Sequence, residues 1–405
     1  MTDFKKREIA SSIVAAIESM PVVVLSGMRQ TGKSTLLKNL PELKGWHYLS
    51  FDDLNVLEAA KRDPDAFLDQ GGPLIIDEVQ RYPEILLAIK RSVDRVRKPG
   101  RFLLSGSANF LILKKVADSL AGRAVYFTLH PFTRREILAS TRSVPSVVKM
   151  LNGDALSRGK AKSITWPEIL RGGMPQVCLR EVRDHRIWFK GYEQTYLERD
   201  VRSLSEVGDL VLFRNLLRLT ALRNGQVLNL SDLARDVKEN HVKVSRYLGL
   251  METSFVLYRL APYLNNLTSR LIKAPKVYFA DTGLAAYLAG EKTIEEHPLL
   301  KGSFWENYVF QNLQAILDSH CPEARYYYWN IQSRHEVDLI VEDGRQVLAL
   351  EIKFGSRIAD SDLSGIKAFQ ASQKRKVTGC VVYNGTELFK AAEDIWAVPA
   401  DIFLA

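Results

Sequence analysis

Gly27, Gly32, Lys33 and Ser34 stand at the spacing Gly-x-x-x-x-Gly-Lys-Ser, and the chemistry of that spacing is phosphate binding. Glycines at those points let backbone N–H groups turn inward around phosphate oxygens, and the end of the following helix adds positive charge. The lysine then reaches the β- and γ-phosphates, and the hydroxyl ligates Mg²⁺. Gly27, Met28, Arg29, Gln30, Thr31, Gly32, Lys33, Ser34 and Thr35 are therefore predicted to line a nucleotide site, with ATP and Mg²⁺ as its ligands. A second signal lies downstream, where the apolar run 73–76 ends in Asp77 and Glu78. Asp77 is predicted to hold Mg²⁺ together with Ser34, and Glu78 to polarise the attacking water.

Such side chains need a scaffold, and the pattern around them supplies one. The β-branched run 21–25 predicts a buried strand ahead of the glycine loop, and 36–40 continues after it as a helix. Ile9, Ile13, Val14 and Ile17 sit at helical spacing within 7–18. Strands are predicted again at 46–52, 73–77 and 101–105, with helical segments between them. Such alternation implies right-handed crossovers and a parallel sheet, with ligand at the carboxyl ends of the strands. The run 105–109 ends one strand in small polar residues. Ser107, and after it Asn109, is a candidate sensor of the γ-phosphate; a plain strand-to-loop turn is the alternative. Arg123 either pairs with a carboxylate or serves as an arginine finger on a neighbouring subunit, and the second role requires a homo-oligomer.

At 405 residues the chain exceeds one ordinary core, so two to four domains are expected. Apolar content of 46% and charged content of 25% are those of a folded protein. The net charge of +9, with a pI near 9.2, suits a polyanionic partner. Cys178, Cys321 and Cys380 are isolated and form no metal-binding spacing, which predicts a reducing cytoplasm. No signal-peptide pattern follows Met1, and no apolar run is long enough to span a membrane.

The tracts GMRQTGKST, LIIDEVQ, LSGS, SLAGR and YLERDV (196–201) together resemble a family of prokaryotic AAA-type ATPases that carry a C-terminal domain of unknown function 4143. The resemblance runs over nearly the whole chain and implies an ATPase module of the AAA class. It implies little about biological role. A second-sensor arginine and an aromatic pore-loop signature are not evident, the latter arguing against a protein-remodelling ATPase.

Two later segments carry further chemistry. Apolar spacing at 213–222, 232–237 and 242–252, followed by strands at 255–260 and 275–280, predicts a winged helix. Its second helix and basic wing place His241, Lys243, Ser245, Arg246, Arg270 and Lys273 as candidate DNA contacts, with protein binding as the alternative use of such a module. Further on, Asp338 lies on one predicted strand and Glu351 and Lys353 on the next, across a hairpin turn at 342–345. Strand alternation puts Glu351 and Lys353 on one face with Asp338. That constellation resembles the restriction-endonuclease-like core, with Glu306 as a helix-borne fourth member. Carboxylates there would bind a second Mg²⁺ or Mn²⁺, and the lysine would orient water or stabilise a pentavalent phosphate.

The expected chain is thus α/β: a P-loop AAA-type parallel sheet at 1–135, a helical connector at 136–208, a winged helix at 209–285 and a restriction-endonuclease-like domain at 286–405. The functional expectation is a Mg²⁺-dependent ATPase acting on or with DNA, extended by ATP-coupled nuclease activity. The alternative is an ATP-controlled switch whose winged helix binds DNA or protein and whose nuclease-like domain is catalytically silent.

Overall fold

β1 (Val22–Ser26), β3 (Leu74–Asp77) and β4 (Phe102–Ser105) are buried at every position, as strands covered on both faces must be. With β2 (His47–Ser50) and β5 (Ala124–Thr128) they form a five-stranded sheet, in the order β2-β3-β4-β1-β5, in which every pairing is parallel. Alternate side chains enter opposite cores. Val22, Val24, Ile76 and Leu104 pack with Ile85, Ile89 and Val93 of helix Ile85–Arg95. Val23, Leu25, Ile75 and Leu103 pack with Ile13 of helix Ala10–Ser19 and with Leu36 and Leu37 of helix Lys33–Asn39. Because β4 lies between β1 and β3, the strand ends Ser26, Ser105 and Asp77 stand side by side on the carboxyl edge. This computed structural model describes residues 4–107, 120–156, 160–201, 209–264, 273–331 and 335–405, the side chains of 198–200 excepted. Asn109 and Arg270 lie outside the described residues.

The chain divides into two compact units. The first comprises Met1–His130, Thr195–Glu206 and Thr253–Phe255; the second holds Pro131–Gln194, Val207–Glu252 and Val256–Ala405. Helix His185–Thr195 is followed by a π-helical turn, Tyr196–Val201. Tyr196 is buried in the first unit, its hydroxyl 2.7 Å from Ser254 Oγ.

In the second unit, helices Leu210–Leu222, Leu230–Asp236 and His241–Thr253 precede an antiparallel pair, β6 (Leu257–Leu260) and β7 (Lys276–Phe279). Asn229 caps the middle helix: its Oδ1 accepts from the Ser231 and Asp232 N–H groups. The C-terminal sheet is mixed. β8 (Arg325–Ile331), β9 (His335–Asp343) and β10 (Gln346–Lys353) run antiparallel in turn. β10 then pairs parallel with β11 (Thr378–Tyr383), and β11 with β13 (Ile395–Pro399). β12 (Phe389–Ala392) closes the edge beside β13. Helix Pro298–His320 packs Trp305, Val309, Leu313 and Leu317 onto the face bearing Leu339, Val341 and Leu350. Ile366 and Phe369 of helix Ser364–Ser372 cover the other face.

Val147, Val148, Met150, Leu151 and Ile164 of the expected connector enter the core of the C-terminal sheet. Residues 281–297 are largely helical, and most of helix Thr282–Ala289 is buried. Asp281 at its start is fully buried, its carboxylate accepting from the Gly173 and Leu284 N–H groups. Among the described residues no helix is long and apolar enough to cross a membrane.

Candidate active site and a second carboxylate cluster

The loop after β1 is held by close backbone approach. Gly27 has φ 144°, and a Cβ there would lie 2.4 Å from Leu129 O, so only glycine fits. Gly32, at φ 93°, turns the chain into helix Lys33–Asn39. Thr31 Oγ1 donates to Met28 O at 2.9 Å, and buried Lys33 donates from Nζ to Gly27 O and Met28 O, both at 2.9 Å. Arg7, buried at the start of the chain, braces the loop from outside. Its guanidinium donates to Thr31 O at 2.8 Å and to His130 O at 2.6 Å.

Asp77 is the hub. Its carboxylate accepts from four neutral donors: Ser34 Oγ at 2.6 Å, the Glu78 N–H at 3.0 Å, and the hydroxyls of Tyr48 and Ser105. Burial pushes its pKa up, but the hydroxyls of Ser105, Ser34 and Tyr48 and the Glu78 N–H outweigh burial and hold it below the usual carboxylate value. Asp77 thus stays charged with no cation spent on it. Ser34 and Asp77 together offer a hydroxyl and a carboxylate oxygen, a hard donor set that suits Mg²⁺.

Glu78 follows in a left-handed conformation, φ 57°, unusual for a non-glycine residue. Burial, reinforced by the adjacent Asp77 charge, raises its pKa against the pull of Lys33, Gln80 and Arg29. Gln80 Nε2 donates to Glu78 Oε2 and to Ser107 Oγ, the latter at 3.1 Å. Ser107 is therefore linked to Glu78 through Gln80.

Arg123 stands elsewhere. It immediately precedes β5, whose Ala124 pairs with Val22 at the start of β1. The loop leaves the other end of that strand, roughly 13 Å away at strand rise. Arg123 Nε instead meets Asp94 Oδ1 at 2.6 Å, which accords with the carboxylate-pairing alternative. Sequence reading missed Tyr48, Ser105, Gln80 and Arg7. The acid-ended strand 46–52 flags Tyr48 weakly, the small polar strand end 105–109 flags Ser105, and nothing in the spacing flags Arg7.

In the second unit, His241, Ser245 and Arg246 are exposed on helix His241–Thr253, opposite buried Val244, Tyr247, Leu248 and Met251. Lys243 Nζ pairs with Glu239 at 2.7 Å. Ser245 and exposed Lys273 line one open groove of about 770 Å³.

The fold also gathers Glu306, Asp338, Glu351 and Lys353. Lys353 Nζ donates to Glu351 Oε1 at 2.6 Å, and the Ile352 N–H donates to Asp338 Oδ2 at 2.8 Å. A residue outside the predicted set stands among them. Lys276 opens β7 and is buried, its Nζ 2.7 Å from Glu336 Oε1, 3.0 Å from Glu306 Oε1 and 3.7 Å from Asp338 Oδ1. The Tyr278 hydroxyl also donates to Glu306. Burial, with the Asp338 charge adding to it, raises Glu306 to about 7 and Glu351 to about 8. Among the described residues no group of three His, Cys, Asp or Glu side chains is arranged to hold a metal ion. Here an ammonium stands where a metal would be needed, so the second Mg²⁺ or Mn²⁺ expected at this cluster does not fit it.

Three stretches of the chain match family models. Residues 19–138 match the model of an AAA domain, 166–295 a domain of unknown function 8612, and 301–403 the domain of unknown function 4143. Uncharacterized proteins of Mycobacterium bovis and Mycobacterium tuberculosis are each 32% identical over 412 residues, covering 99% of this chain and 85% of theirs. An uncharacterized protein of Haemophilus influenzae is 23% identical over 82% of each chain. Among solved structures, a Walker-type ATPase of Pyrococcus abyssi aligns with TM-score 0.41 and 16% identity, over 71% of this chain and 99% of that one. The Thermotoga maritima RuvB Holliday junction branch migration motor aligns with TM-score 0.31 and 19% identity, over 63% and 90%.

Proposed function

The chain belongs to the prokaryotic family of AAA-type ATPases with a C-terminal domain of unknown function 4143, and we propose that it is a Mg²⁺-dependent ATPase that acts on or with DNA. Gly27–Thr35 cradle the phosphates, and Lys33 turns its ammonium from the loop carbonyls to the β- and γ-phosphates. Ser34 and Asp77 hold Mg²⁺, which when bound neutralises charge on the phosphate oxygens. Glu78 accepts the proton of the attacking water, and its raised pKa makes it a stronger base than an ordinary carboxylate. Gln80 and Ser107 fix the orientation of that base. The observation that carries this reading is the meeting of Ser34, Asp77 and Glu78 on one sheet edge, with neutral donors holding Asp77 charged. Glu78→Gln tests it: ATP still binds, while turnover falls by about 10²- to 10⁴-fold. Near-normal turnover would refute the role of Glu78.

The DNA partner rests on the three helices and hairpin of the second unit, which we read as a winged helix. Exposed His241, Ser245, Arg246 and Lys273 support that reading, as does the net charge of +9. For the C-terminal domain, Lys276 seated among the carboxylates favours the second functional reading: an ATP-controlled switch whose nuclease-like domain is catalytically silent.

A further inference from the structure

Two ammonium groups, of Lys276 and Lys353, face four carboxylates, of Glu306, Glu336, Asp338 and Glu351. The acids therefore outnumber the ammonium groups four to two. Glu351 is only 9% exposed, and its Oε2 is buried without a hydrogen-bond donor. An orphaned carboxylate oxygen beside other acids is a position at which a hard divalent cation gains most. Lys276 is 3% exposed and approaches the oxygens of three of these acids. Burial alone would disfavour its charge, but Glu306, Tyr278, Asp338 and Glu336 hold it well above the ordinary lysine range. It is a permanent cation, and a divalent ion would compete with it for the same oxygens.

The ammonium arrives from outside the sheet domain. β7 carries it, paired with β6. The hairpin is pinned on the C-terminal sheet just beyond the paired strands, once on each arm: the Tyr263 N–H donates to Tyr328 O at 2.6 Å, and the Tyr328 hydroxyl to Ala274 O at 2.6 Å. Any motion that draws β7 off helix Pro298–His320 takes the cation with it.

We propose that Lys276 is a resident cation that closes a divalent-cation site formed by Glu306, Asp338 and Glu351, and that removing its ammonium opens that site to Mg²⁺ or Mn²⁺. The proposal rests on the reading of the C-terminal domain as silent and supplies the reason for the silence.

The test is Mn²⁺ uptake by the full-length chain without nucleotide, followed by the electron paramagnetic resonance of the free ion and by thermal melting. Wild type and Asp338→Asn take up the same Mn²⁺. Lys276→Met gains about one Mn²⁺ per chain, and the gain is lost in Lys276→Met/Asp338→Asn. Added Mn²⁺ raises the melting temperature of Lys276→Met and leaves that of wild type unmoved, since only a native-state binder stabilises. Should Lys276→Met not fold, Lys276→Met/Glu336→Gln sheds one carboxylate, keeps the three ligands and reports the same gain. Uptake by wild type that Asp338→Asn abolishes overturns the proposal, as does the absence of gain in both Lys276 variants. DNA cleavage by wild type would overturn the underlying reading, whereas a failure confined to Mn²⁺ uptake overturns the proposal alone.

Discussion

Two carboxylate clusters in this chain meet opposite fates. At the end of β3, Asp77 is satisfied by three hydroxyls and one backbone N–H, all neutral. At the C-terminal sheet, Glu306, Glu336 and Asp338 gather around one buried ammonium, with the Tyr278 hydroxyl and the Ile352 N–H as further donors. Neutral donors lower the pKa of an acid and leave its charge available to an incoming cation. An ammonium cancels that charge on the spot. What surrounds the acids, rather than their number, decides whether a cluster is open to a metal.

The contrast breaks most visibly at Lys276. Lys276→Met leaves buried carboxylates without their counter-charge and should cost about 3–5 kcal/mol of stability, read from denaturant unfolding. A loss under about 1 kcal/mol would mean that the ammonium is not what holds the cluster. The pH dependence sharpens the same point. Glu351 has a folded pKa near 8 against an ordinary 4.5, so between those values the folded state holds a proton that the unfolded chain has released. Stability therefore falls as pH rises through that window, by about 1 kcal/mol per pH unit. Glu351→Gln should flatten the slope; an unchanged slope would place the titration elsewhere.

The N-terminal cluster should be more forgiving. Tyr48→Phe removes one of four donors to Asp77 and should cost about 1 kcal/mol, with weaker Mg²⁺-dependent ATP binding by calorimetry. A larger loss would make Asp77 as dependent on one partner as the C-terminal acids are. The smallest effect is expected outside both clusters. Lys243→Ala/Arg246→Ala should weaken DNA binding and lower its salt slope by about 2. An unchanged slope would move the DNA face elsewhere.

Most of the first cluster was legible because its geometry is local. Gly27 to Ser34 form one loop, and an apolar strand ending in Asp77 and Glu78 fixes their place on the sheet edge. The C-terminal acids were legible too, because Asp338, Glu351 and Lys353 share one hairpin and follow strand alternation. Tyr48 and Ser105 escaped because only the strand order, with β4 between β1 and β3, brings them to Asp77. Lys276 escaped for a different reason: a lysine near a basic loop reads as solvated surface. One signal did point to it. Lys276 and Tyr278 alternate onto one face of β7, and both meet Glu306 Oε1. The connector also misled, since short helices with mixed charge hid apolar residues that complete a core far along the chain.

The most direct test follows phosphate release and DNA strand scission in one reaction. It uses purified protein with ATP and Mg²⁺ on supercoiled, linear, forked and single-stranded DNA, beside Glu78→Gln and Lys353→Ala. The account predicts phosphate release by wild type and by Lys353→Ala, its collapse in Glu78→Gln, and intact DNA throughout. Strand scission by wild type that disappears in Lys353→Ala would contradict it, because the C-terminal cluster would then be a working site with Lys276 in place.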